Sequence, residues 1–589
     1  MPGEDVLVRV EDLTIGFPEG KNEVKTVVDH ISFDIKKGEI VGIVGESGSG
    51  KSMTSLAIMG LLSKDAIIQD GHVYLKGNDI LRYDKEKRCH IQGNDMSMVF
   101  QEPMTSLNPV MKIGRQVGEV LKLHTKLSDH EIDAMVEEAL TSVGLEDPKG
   151  LMDQYPHQLS GGMRQRVMIA MAIINKPDLI IADEPTTALD VTVQAQILTL
   201  LKKIHKDKGC SILFISHDLN VIKEVCQRVL VMYKGVIVEE GDAQEVLLHP
   251  KHEYTKKLVA SMPDQVSMEE MPEVLVHVDH LNIYYKAQKK LLSSGKDKIM
   301  YVRDMSFDIH DGEIFGVVGE SGCGKSTVAK ALTGLNKDIE GTMELNGVRP
   351  QMVFQDPFSS LNPAKKIGWI LEEPLKLKGV KDPAERRRQV IEILKDIGLD
   401  ESYAGRYARE LSGGQRQRIS IGLALMRGER FIIADEPVSA LDVTVQSQIL
   451  KLLIKLHEER NLTYMFISHD LNIVRHMCHR VMVMYLGQIV EMADVEDIYD
   501  HPYHPYTKKL FESVLTERRR EDTDVITVDE AELGNVTRHL EVGCTFYNRC
   551  RYRTDKCLEK SLMIKNVGTQ ERPHMLRCVL RTSSLEDEI

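Results

Sequence analysis

The sequence lacks any apolar stretch long enough to cross a membrane as a helix, which takes about 18 to 20 consecutive apolar residues. Its apolar bursts are short, such as those at residues 179–182 and 431–434. Short apolar runs of this kind are typical of strands buried on both faces of a parallel sheet. We therefore expect an α/β chain without membrane-spanning segments.

Signals for secretion and for a large nucleic-acid surface are missing too. The first residues, MPGEDVLVRVEDL, hold neither a basic segment nor an apolar core, so we expect no signal peptide. The net charge of −14 disfavours the basic stripe with which proteins bind nucleic acids. Nine cysteines without a secretion signal predict reduced thiols and a cytosolic location, and the length of 589 residues suggests three or four domains.

A phosphate-binding loop is the first motif present. A strand predicted at residues 39–44 leads into GESGSGKS at residues 45–52, and an apolar helical run follows at residues 53–62. This order of strand, glycine-rich loop and helix is the context that a P-loop requires. Backbone N–H groups would face the phosphates, the lysine would reach the β- and γ-phosphates, and the last serine would ligate Mg²⁺. The predicted ligands are Gly45, Ser47, Gly48, Ser49, Gly50, Lys51 and Ser52.

Two adjacent carboxylates end the apolar run at residues 179–183. Charges at the end of a buried strand are costly unless a cation or a proton transfer uses them. We expect Asp183 to hold Mg²⁺ through water, and Glu184 to act as general base or to orient the attacking water.

A second anion cradle lies at Ser160, Gly161 and Gly162, just before a helical run at residues 163–174. Its free N–H groups would sit at a helix N-terminus. The P-loop already supplies one phosphate-binding segment in this domain. We therefore expect the second cradle to close over a nucleotide that is bound to the P-loop of another copy of the domain. That copy is in the same chain, where LSGGQRQR at residues 411–418 repeats LSGGMRQR at residues 159–166.

Spacings indicate that the whole domain is repeated. In both copies 23 residues separate the serine of LSGG from the aspartate of the carboxylate pair, and 33 residues separate the adjacent glutamate from a histidine. The site residues predicted for the second copy are Gly319, Ser321, Gly322, Cys323, Gly324, Lys325, Ser326, Gln355, Ser412, Gly413, Gly414, Asp435, Glu436, Asp442 and His469.

The copies differ in two places. The P-loop lysine precedes Gln101 by 50 residues in the first copy, but precedes Gln355 by only 30 in the second. We expect the missing 20 or so residues to come from a β-rich region. The second copy carries instead a Lys-rich insertion at residues 286–298, which we interpret as a solvated loop.

The LSGG motif followed by Gln-Arg, together with the P-loops, resembles the signature of ATP-binding cassette (ABC) ATPases. The resemblance implies two tandem α/β nucleotide-binding domains, each with a P-loop core sheet and a helical subdomain. It implies that Gln101 and Gln355 contact the metal and the attacking water, and that His217 and His469 contact the γ-phosphate. It also implies that Phe17 and Tyr285 stack on adenine. ATP and Mg²⁺ are the expected ligands, with Ser52, Gln101, Asp183, Ser326, Gln355 and Asp435 around the metal.

Further phrases resemble the ATPase subunits of oligopeptide, dipeptide and nickel importers, as if two subunits were fused. The segment HPKHEYTKKL at residues 249–258 is similar to HPYHPYTKKL at residues 501–510. The segment QEPMTSLNP at residues 101–109 is similar to QDPFSSLNP at residues 355–363. The resemblance implies a peripheral protein on the cytoplasmic face of the membrane. Its partners would be two membrane permeases and an extracytoplasmic solute-binding protein, with no nucleic acid.

In such a motor the two cassettes would pair head to tail within one chain, one chain per complex. ATP on Lys51 and Ser52 would be closed over by Ser412 and Gly414. ATP on Lys325 and Ser326 would be closed over by Ser160 and Gly162. The solute stays open among peptides, nickel chelates, opines and glycoconjugates, because its contacts lie on other chains.

Four of the nine cysteines lie near the C-terminus, at Cys544, Cys550, Cys557 and Cys578, with the spacing C-x5-C-x6-C-x20-C. This tail resembles the segment that binds a [4Fe–4S] cluster in some family members. Four thiolates could ligate a cubane cluster or tetrahedral zinc, and a segment without metal is the third alternative.

The predicted division is a first cassette at residues 1–262, a linker at 263–272, a second cassette at 273–515 and the cysteine-containing extension at 516–589. The rival hypothesis is a soluble twin-cassette ATPase that remodels or activates a cytosolic target, as a translation factor or a redox-enzyme activator does. The short linker disfavours the translation type, and the cysteines suit the redox type. Glu184 and Glu436 argue against an assembly protein with negligible turnover.

Overall fold

A computed structural model describes residues 5–20, 23–186, 189, 191–259, 266, 272–286, 298–439, 441–512, 543–558, 563–570 and 572–579. Below, cassette 1 means residues 5–259, cassette 2 means residues 272–512, and the C-terminal segment means the described residues from 543 onward. Apart from residues 266 and 272, the predicted linker lies outside the described residues. So does the Lys-rich insertion between Lys286 and Lys298, which end one strand and begin the next.

The described residues of cassette 1 form ten strands and eleven α-helices. The strands are β1 (Val6–Glu19), β2 (Glu23–Lys36), β3 (Ile40–Val44), β4 (Ile67–Leu75), β5 (Asn78–Asp79), β6 (Met96–Val99), β7 (Leu179–Asp183), β8 (Ser211–Ile215), β9 (Arg228–Tyr233) and β10 (Val236–Asp242). The helices are α1 (Lys51–Met59), α2 (Lys85–Ile91), α3 (Pro103–Ser106), α4 (Ile113–His124), α5 (Asp129–Ser142), α6 (Pro148–Met152), α7 (Gly161–Ile173), α8 (Val191–Lys208), α9 (Leu219–Val225), α10 (Ala243–Leu248) and α11 (Glu253–Val259).

Cassette 2 repeats this order without counterparts of β5 and α2 and with a 3-10 turn at Glu401–Gly405 in place of α6, and the C-terminal segment adds two short strands. The strands are β11 (Val274–Lys286), β12 (Lys298–His310), β13 (Ile314–Val318), β14 (Ile339–Glu344), β15 (Gln351–Val353), β16 (Phe431–Asp435), β17 (Thr463–Ile467), β18 (Arg480–Tyr485), β19 (Gln488–Asp494), β20 (Lys565–Asn566) and β21 (Met575–Leu576). The helices are α12 (Lys325–Leu332), α13 (Pro357–Ser360), α14 (Ile367–Leu377), α15 (Pro383–Asp396), α16 (Gly413–Leu425), α17 (Val443–Arg460), α18 (Leu471–Met477), α19 (Val495–Asp500) and α20 (Pro505–Glu512).

The core sheet of cassette 1 has the strand order β10-β9-β3-β8-β7-β6, and only the β9–β10 pair is antiparallel. Every residue of β3, β7 and β8 is buried, because α1 and an antiparallel sheet cover one face of the core sheet and the other helices cover the opposite face. A separate antiparallel sheet, β2-β1-β4-β5, packs against one side of α1. The prediction of buried parallel strands at the apolar bursts is confirmed.

The core sheet of cassette 2 has the equivalent order β15-β16-β17-β13-β18-β19 and continues into β21 and β20. Strand β21 pairs antiparallel with β19, with Glu491 opposite Leu576. The C-terminal segment therefore extends the sheet of cassette 2.

The extra residues of cassette 1 between P-loop and glutamine are only partly β-structure. They form the two-residue strand β5, a 3-10 turn at Ile80–Arg82 and helix α2, whereas β14 leads to β15 through a short loop in cassette 2. The expectation of a β-rich region misses α2, which begins where the Asp84 side chain accepts from the N–H of Lys87.

The helical subdomains consist of α4, α5 and α7 in cassette 1 and of α14, α15 and α16 in cassette 2. Ile113, Val117 and Leu121 recur at helical spacing on α4 and are almost fully buried against α5 and α7. Within the described ranges, no helix is long and apolar enough to span a bilayer.

A buried ion pair ties the start of the P-loop strand to the strand beside it in each cassette. Arg228 Nε contacts Glu39 Oε1 at 2.8 Å in cassette 1, and Arg480 Nη1 contacts Glu313 Oε1 at 3.1 Å in cassette 2. The second pair is the more deeply buried, with side chains 7% and 1% exposed against 17% and 13%.

Candidate functional site

Each P-loop joins the central strand of the sheet to the first helix, and it passes so close to the next strand that only glycine fits at its first position. A Cβ atom on Gly45 would lie 2.1 Å from the carbonyl oxygen of Met232, and one on Gly319 would lie 2.3 Å from that of Met484. Gly50 then enters α1 with a φ of 103°, in the left-handed region that glycine tolerates.

The P-loop lysines lie inside their loops. Lys51 Nζ donates to the carbonyl oxygens of Gly45 and Glu46, both at 2.8 Å. Lys325 Nζ donates to those of Gly319 at 2.7 Å and Glu320 at 3.1 Å. Burial lowers the pKa of Lys51, and nearby carboxylates oppose this shift. Each loop thus holds a buried amine where phosphate oxygens would lie.

A serine and an aspartate meet beside each lysine. Ser52 Oγ donates to Asp183 Oδ1 at 3.2 Å, and Ser326 Oγ donates to Asp435 Oδ1 at 3.2 Å. Burial raises the pKa of Asp183 to about 6 and also raises that of Asp435. A hydroxyl and a carboxylate are the hard oxygen donors that Mg²⁺ prefers, and a cation would relieve the cost of the buried charge, so both pairs fit the metal.

Glutamine, glutamate and histidine form the third group, in which Gln101 Nε2 donates to Glu184 Oε2 at 2.8 Å. His217 Nδ1 lies 3.3 Å from the same Glu184 oxygen. Burial acts to lower the pKa of His217, but its hydrogen bond to Glu184 and the charges of Glu184 and Asp218 together outweigh burial and raise it. The sequence-predicted catalytic residues of cassette 1 therefore converge on one carboxylate oxygen.

The same group recurs in cassette 2. Glu436 Oε2 accepts from Gln355 Nε2 at 2.7 Å and lies 3.2 Å from His469 Nδ1. Burial alone would raise the pKa of Glu436, but the hydrogen bond from His469 and the charges of His469 and Lys325 together outweigh burial and lower the pKa. The pKa of His469 rises because its contact with Glu436 outweighs the effect of burial. The lowered pKa favours the ionised form of Glu436, which the predicted role of general base requires.

Both glutamates adopt a backbone conformation that residues other than glycine rarely use. The φ angles are 46° at Glu184 and 48° at Glu436. The N–H groups donate to Ile215 O at 2.9 Å and to Ile467 O at 3.0 Å, which fixes each main chain at the end of its strand. Strain of this kind is concentrated at functional sites, where it aims a side chain.

The LSGG motifs begin helices, as predicted. Ser160 Oγ accepts from the N–H of Met163 at 3.2 Å at the start of α7, and Ser412 Oγ accepts from that of Gln415 at 3.3 Å at the start of α16. A Cβ on Gly414 would lie 2.2 Å from Val445 Cγ1. Gly414 thus allows the first turn of α16 to pack closely against α17.

The two predicted adenine-stacking residues lie at equivalent points of the antiparallel sheets. Phe17 is half-buried on β1 opposite Lys25. Tyr285 is half-buried on β11, and its ring meets that of Tyr301 edge-on at 4.9 Å between centroids.

The two cassettes contact each other beside these sites. A cavity of about 300 Å³ is lined by His217 and Asp218 of cassette 1 and by Glu436, His469 and Asp470 of cassette 2. Burial, and then the charge of Asp218, raise the pKa of Asp470. Predicted catalytic residues from both halves thus border one space.

Two supporting residues were not predicted from the sequence. The hydroxyl of Tyr254 accepts from the N–H of Glu46 at 2.9 Å, and the hydroxyl of Tyr506 accepts from that of Glu320 at 2.9 Å. Both tyrosines belong to the repeated HPxHxYTKKL phrase, whose recurrence after each cassette was the available signal.

The four C-terminal cysteines lie within electrostatic reach of one another but do not form a metal cage here. Burial raises the pKa of Cys544 to about 12, and Cys578, Cys557 and Cys550 add to the shift. Among the described residues, no group of three or more His, Cys, Asp or Glu side chains is arranged to hold a metal ion. The thiols suit iron or zinc chemically, whereas their present arrangement does not support the cluster.

The family model described as "ABC transporter" matches residues 28–187 and 302–439. The chain belongs to the ABC ATPases. A second model, "Oligopeptide/dipeptide transporter, C-terminal region", matches residues 238–274 and 490–557 of this ABC ATPase. The resemblance inferred from the signature motifs and from the HPxHxYTKKL phrases is confirmed.

Proteins of similar length carry the same tandem organisation. The Glutathione import ATP-binding protein GsiA of Pectobacterium atrosepticum is 39% identical over 578 residues, covering 90% of this chain and 93% of its own. The protein of the same name from Escherichia coli (strain K12) is 40% identical over 568 residues, covering 87% of this chain and 91% of its own. These relatives support an ATP-hydrolysing importer subunit over the soluble alternative.

Solved structures agree on the fold. The archaeal ribosome recycling factor aABCE1 aligns with a TM-score of 0.56 at 22% identity, covering 81% of this chain and 89% of that one. At this identity the match shows the twin-cassette fold alone.

Proposed function

We propose that this ABC ATPase drives the uptake of small peptides, with glutathione as the first solute to test. The observation that carries the proposal is that relatives covering about nine tenths of the chain are named for glutathione import. Support comes from the two intact catalytic groups, which a motor needs.

An importer ATPase works with a membrane permease and a substrate-binding protein. For this chain the proposed partners are two permeases, seated beside Gln101 and Gln355, and one extracytoplasmic solute-binding protein. The proposed location is the cytoplasmic face of the membrane, and the proposed stoichiometry is one chain per complex. The division into cassettes at residues 1–262 and 273–515 belongs to the same proposal.

Within the chain, the cassettes are proposed to pair head to tail. Ser412 and Gly414 would close the site of Lys51, and Ser160 and Gly162 would close the site of Lys325. The electrostatic environment of Lys51 supports this arrangement, because Asp442 of cassette 2 is among the carboxylates that oppose the burial shift of its pKa. The cavity that both halves line also favours it.

In the proposed reaction each P-loop binds the triphosphate and each glutamate takes a proton from the attacking water. Gln101 and His217 hold Glu184 in place through the contacts described above, and Gln355 and His469 do the same for Glu436. Ser52 with Asp183, and Ser326 with Asp435, would hold Mg²⁺, which neutralises phosphate charge. Phe17 and Tyr285 are the proposed adenine contacts.

A [4Fe–4S] cluster on Cys544, Cys550, Cys557 and Cys578 stays a proposal, with zinc as the alternative. It is supported by the number and spacing of the thiols and by their mutual electrostatic influence. Iron, sulfide and zinc analysis of anaerobically purified protein tests it. About four irons and four sulfides per chain would support the cluster. One zinc per chain would support the zinc site in its place. Protein that holds neither iron nor zinc would contradict both metal sites.

The transport proposal is tested by deleting the gene from its host and measuring uptake of radiolabelled glutathione. We expect uptake to fall, to be restored by the intact chain, and to stay low with the Glu184→Gln/Glu436→Gln double variant. Uptake that is unaffected by deletion contradicts glutathione as the solute. Affinity purification should recover membrane permeases; recovery of a soluble enzyme in their place would favour the rival hypothesis.

A further inference from the structure

The C-terminal segment contacts the P-loop of cassette 2 through a two-pronged ion pair. Arg549 Nη1 lies 2.8 Å from Glu320 Oε2, and Arg549 Nη2 donates to Glu320 Oε1 at 3.2 Å. The arginine side chain is 5% exposed and the glutamate 15% exposed. A parallel pair of charge-assisted bonds with little water access holds both the position and the orientation of the carboxylate.

Glu320 is the second residue of the P-loop GESGCGKS. Its carbonyl oxygen accepts from Lys325 Nζ at 3.1 Å, and its N–H donates to the Tyr506 hydroxyl at 2.9 Å. The side chain that Arg549 holds therefore belongs to a residue whose main chain contacts the phosphate-binding lysine.

Arg549 is itself fixed by packing against cassette 2. Its Nη1 donates to the Tyr485 hydroxyl at 3.1 Å, and the guanidinium lies 5.7 Å from the centre of the Phe546 ring, which is 3% exposed. Farther along the segment, β21 pairs with β19. The segment is thus anchored on the same sheet that carries the P-loop, and it presents Arg549 from a rigid base.

Among the described residues of cassette 1, no arginine pairs with the glutamate of the P-loop. Glu46 occupies the position of Glu320, and Tyr254 contacts it as Tyr506 contacts Glu320. After Tyr254 and its helix, however, the sequence enters the linker and then cassette 2, without a counterpart of residues 543–579. The two P-loops are alike in sequence and differ in this contact.

We propose that Arg549 is a positioning residue for the second nucleotide site, and that the C-terminal segment makes the two ATP sites of this chain unequal. By holding Glu320, Arg549 keeps the P-loop of cassette 2 in its binding conformation before nucleotide arrives, which lowers the cost of binding. This inference rests on the proposed assignment of the second P-loop as an ATP site.

The test isolates each site in the full-length chain. Lys51→Ala leaves only the second site able to bind tightly, and Lys325→Ala leaves only the first. In the Lys51→Ala background we expect Arg549→Ala to raise the Kd of a fluorescent ATP analogue on the order of tenfold, a typical coupling between linked sites. In the Lys325→Ala background the same substitution should leave the Kd unchanged.

Three further variants sharpen the result. Arg551→Ala removes an exposed arginine from the same segment and should change neither site. Arg549→Lys keeps the charge without the two-pronged geometry and should restore part of the affinity. Glu320→Gln should weaken the second site alone, and Arg549→Ala added to it should weaken it little further.

An Arg549→Ala effect of equal size at both sites, or none at the second site, overturns the inference. If Arg549→Ala cannot be recovered as folded protein, Glu320→Gln carries the test, and an unchanged second site then overturns it. A different result would contradict the assignment of the second P-loop as an ATP site. If Lys325→Ala does not remove one of two bound nucleotides, the second P-loop is not an ATP site, and this conclusion does not depend on the Arg549 variants.

Discussion

The Nε2 atom of Gln355 donates a hydrogen bond of 2.7 Å to Oε2 of Glu436, the carboxylate oxygen that also faces His469. Gln101 and Glu184 repeat the contact at 2.8 Å in cassette 1. One glutamate per cassette thus has a neutral donor on one side and an imidazole on the other. This symmetry favours two catalytically competent sites.

Replacing both glutamates by glutamine should stop hydrolysis while ATP still binds. The amide cannot take a proton, so we expect the ATPase rate of Glu184→Gln/Glu436→Gln to fall by about 10²- to 10⁴-fold. Each single substitution should remove at least half of the turnover. Steady-state phosphate release measures the rate, and equilibrium binding of an ATP analogue provides the control. A full wild-type rate in Glu436→Gln alone would contradict the symmetry of the sites.

Head-to-tail pairing predicts that damage to one LSGG motif blocks hydrolysis on the opposite P-loop. A side chain as large as that in Ser412→Arg should obstruct the phosphates held by Lys51, with a loss of about a hundredfold for that site. Ser160→Arg should do the same for the site of Lys325. Vanadate trapping with a photoreactive ATP, followed by cleavage in the linker, shows which cassette retains label. Loss of label from the cassette that carries the substitution would indicate that each cassette closes its own site.

The proximity of the predicted catalytic groups could be inferred from the sequence, because the short motifs that carry them lie at the ends of neighbouring parallel strands. Asp183 ends β7 and the P-loop follows β3, and the carboxyl ends of such strands meet at one edge of the sheet. Two copies with equal spacings then identified the second set. The left-handed backbone of Glu184 has no sequence signal, because it depends on how the strand end is held.

Contacts between distant parts of the chain could not be predicted. The Tyr254 hydroxyl meets a P-loop N–H that is 208 residues away, and Arg549 meets Glu320 across 229 residues. Tertiary packing, which no local pattern encodes, decides both contacts. Likewise, the spacing of the cysteines permits a metal site, while their present arrangement in space does not form one.

The buried ion pair of cassette 2 should matter more for stability than its counterpart in cassette 1. Arg480→Met leaves Glu313 charged and almost fully buried, and we expect a loss of about 3–5 kcal/mol. Arg228→Met should cost less, because Glu39 is more exposed. Hydrogen exchange of the β13 and β18 amides, compared with β3 and β9, measures the two losses separately. The Arg480→Met/Glu313→Leu double variant, which leaves no unpaired charge, should recover stability; equal losses in both cassettes would contradict the role of burial.

His504 should make the stability of cassette 2 sensitive to acid. Burial lowers the pKa of His504 to about 4, although Glu491 opposes the shift, and its neutral Nδ1 accepts from the N–H of Tyr506 at 3.1 Å. Because the folded pKa lies below the unfolded value near 6.5, protonation favours the unfolded chain. The contribution of His504 is therefore complete above about pH 6.5 and is lost as the pH falls towards 4, by about 3 kcal/mol in total.

His504→Asn keeps an acceptor for the Tyr506 N–H but cannot be protonated. Urea unfolding of both proteins at a series of pH values, followed by hydrogen exchange of α20 and β19, isolates the contribution of this side chain. We expect the free energy of unfolding to fall less in the variant than in the wild type between pH 6.5 and 4. Above pH 7 the free energies of the two proteins should change with pH at nearly the same slope. His252→Asn, at the equivalent and more exposed position of cassette 1, serves as the matched control. If the free energy of unfolding changes with pH in the same way in His504→Asn and wild type over the whole range, the pKa of His504 does not differ between the folded and the unfolded chain.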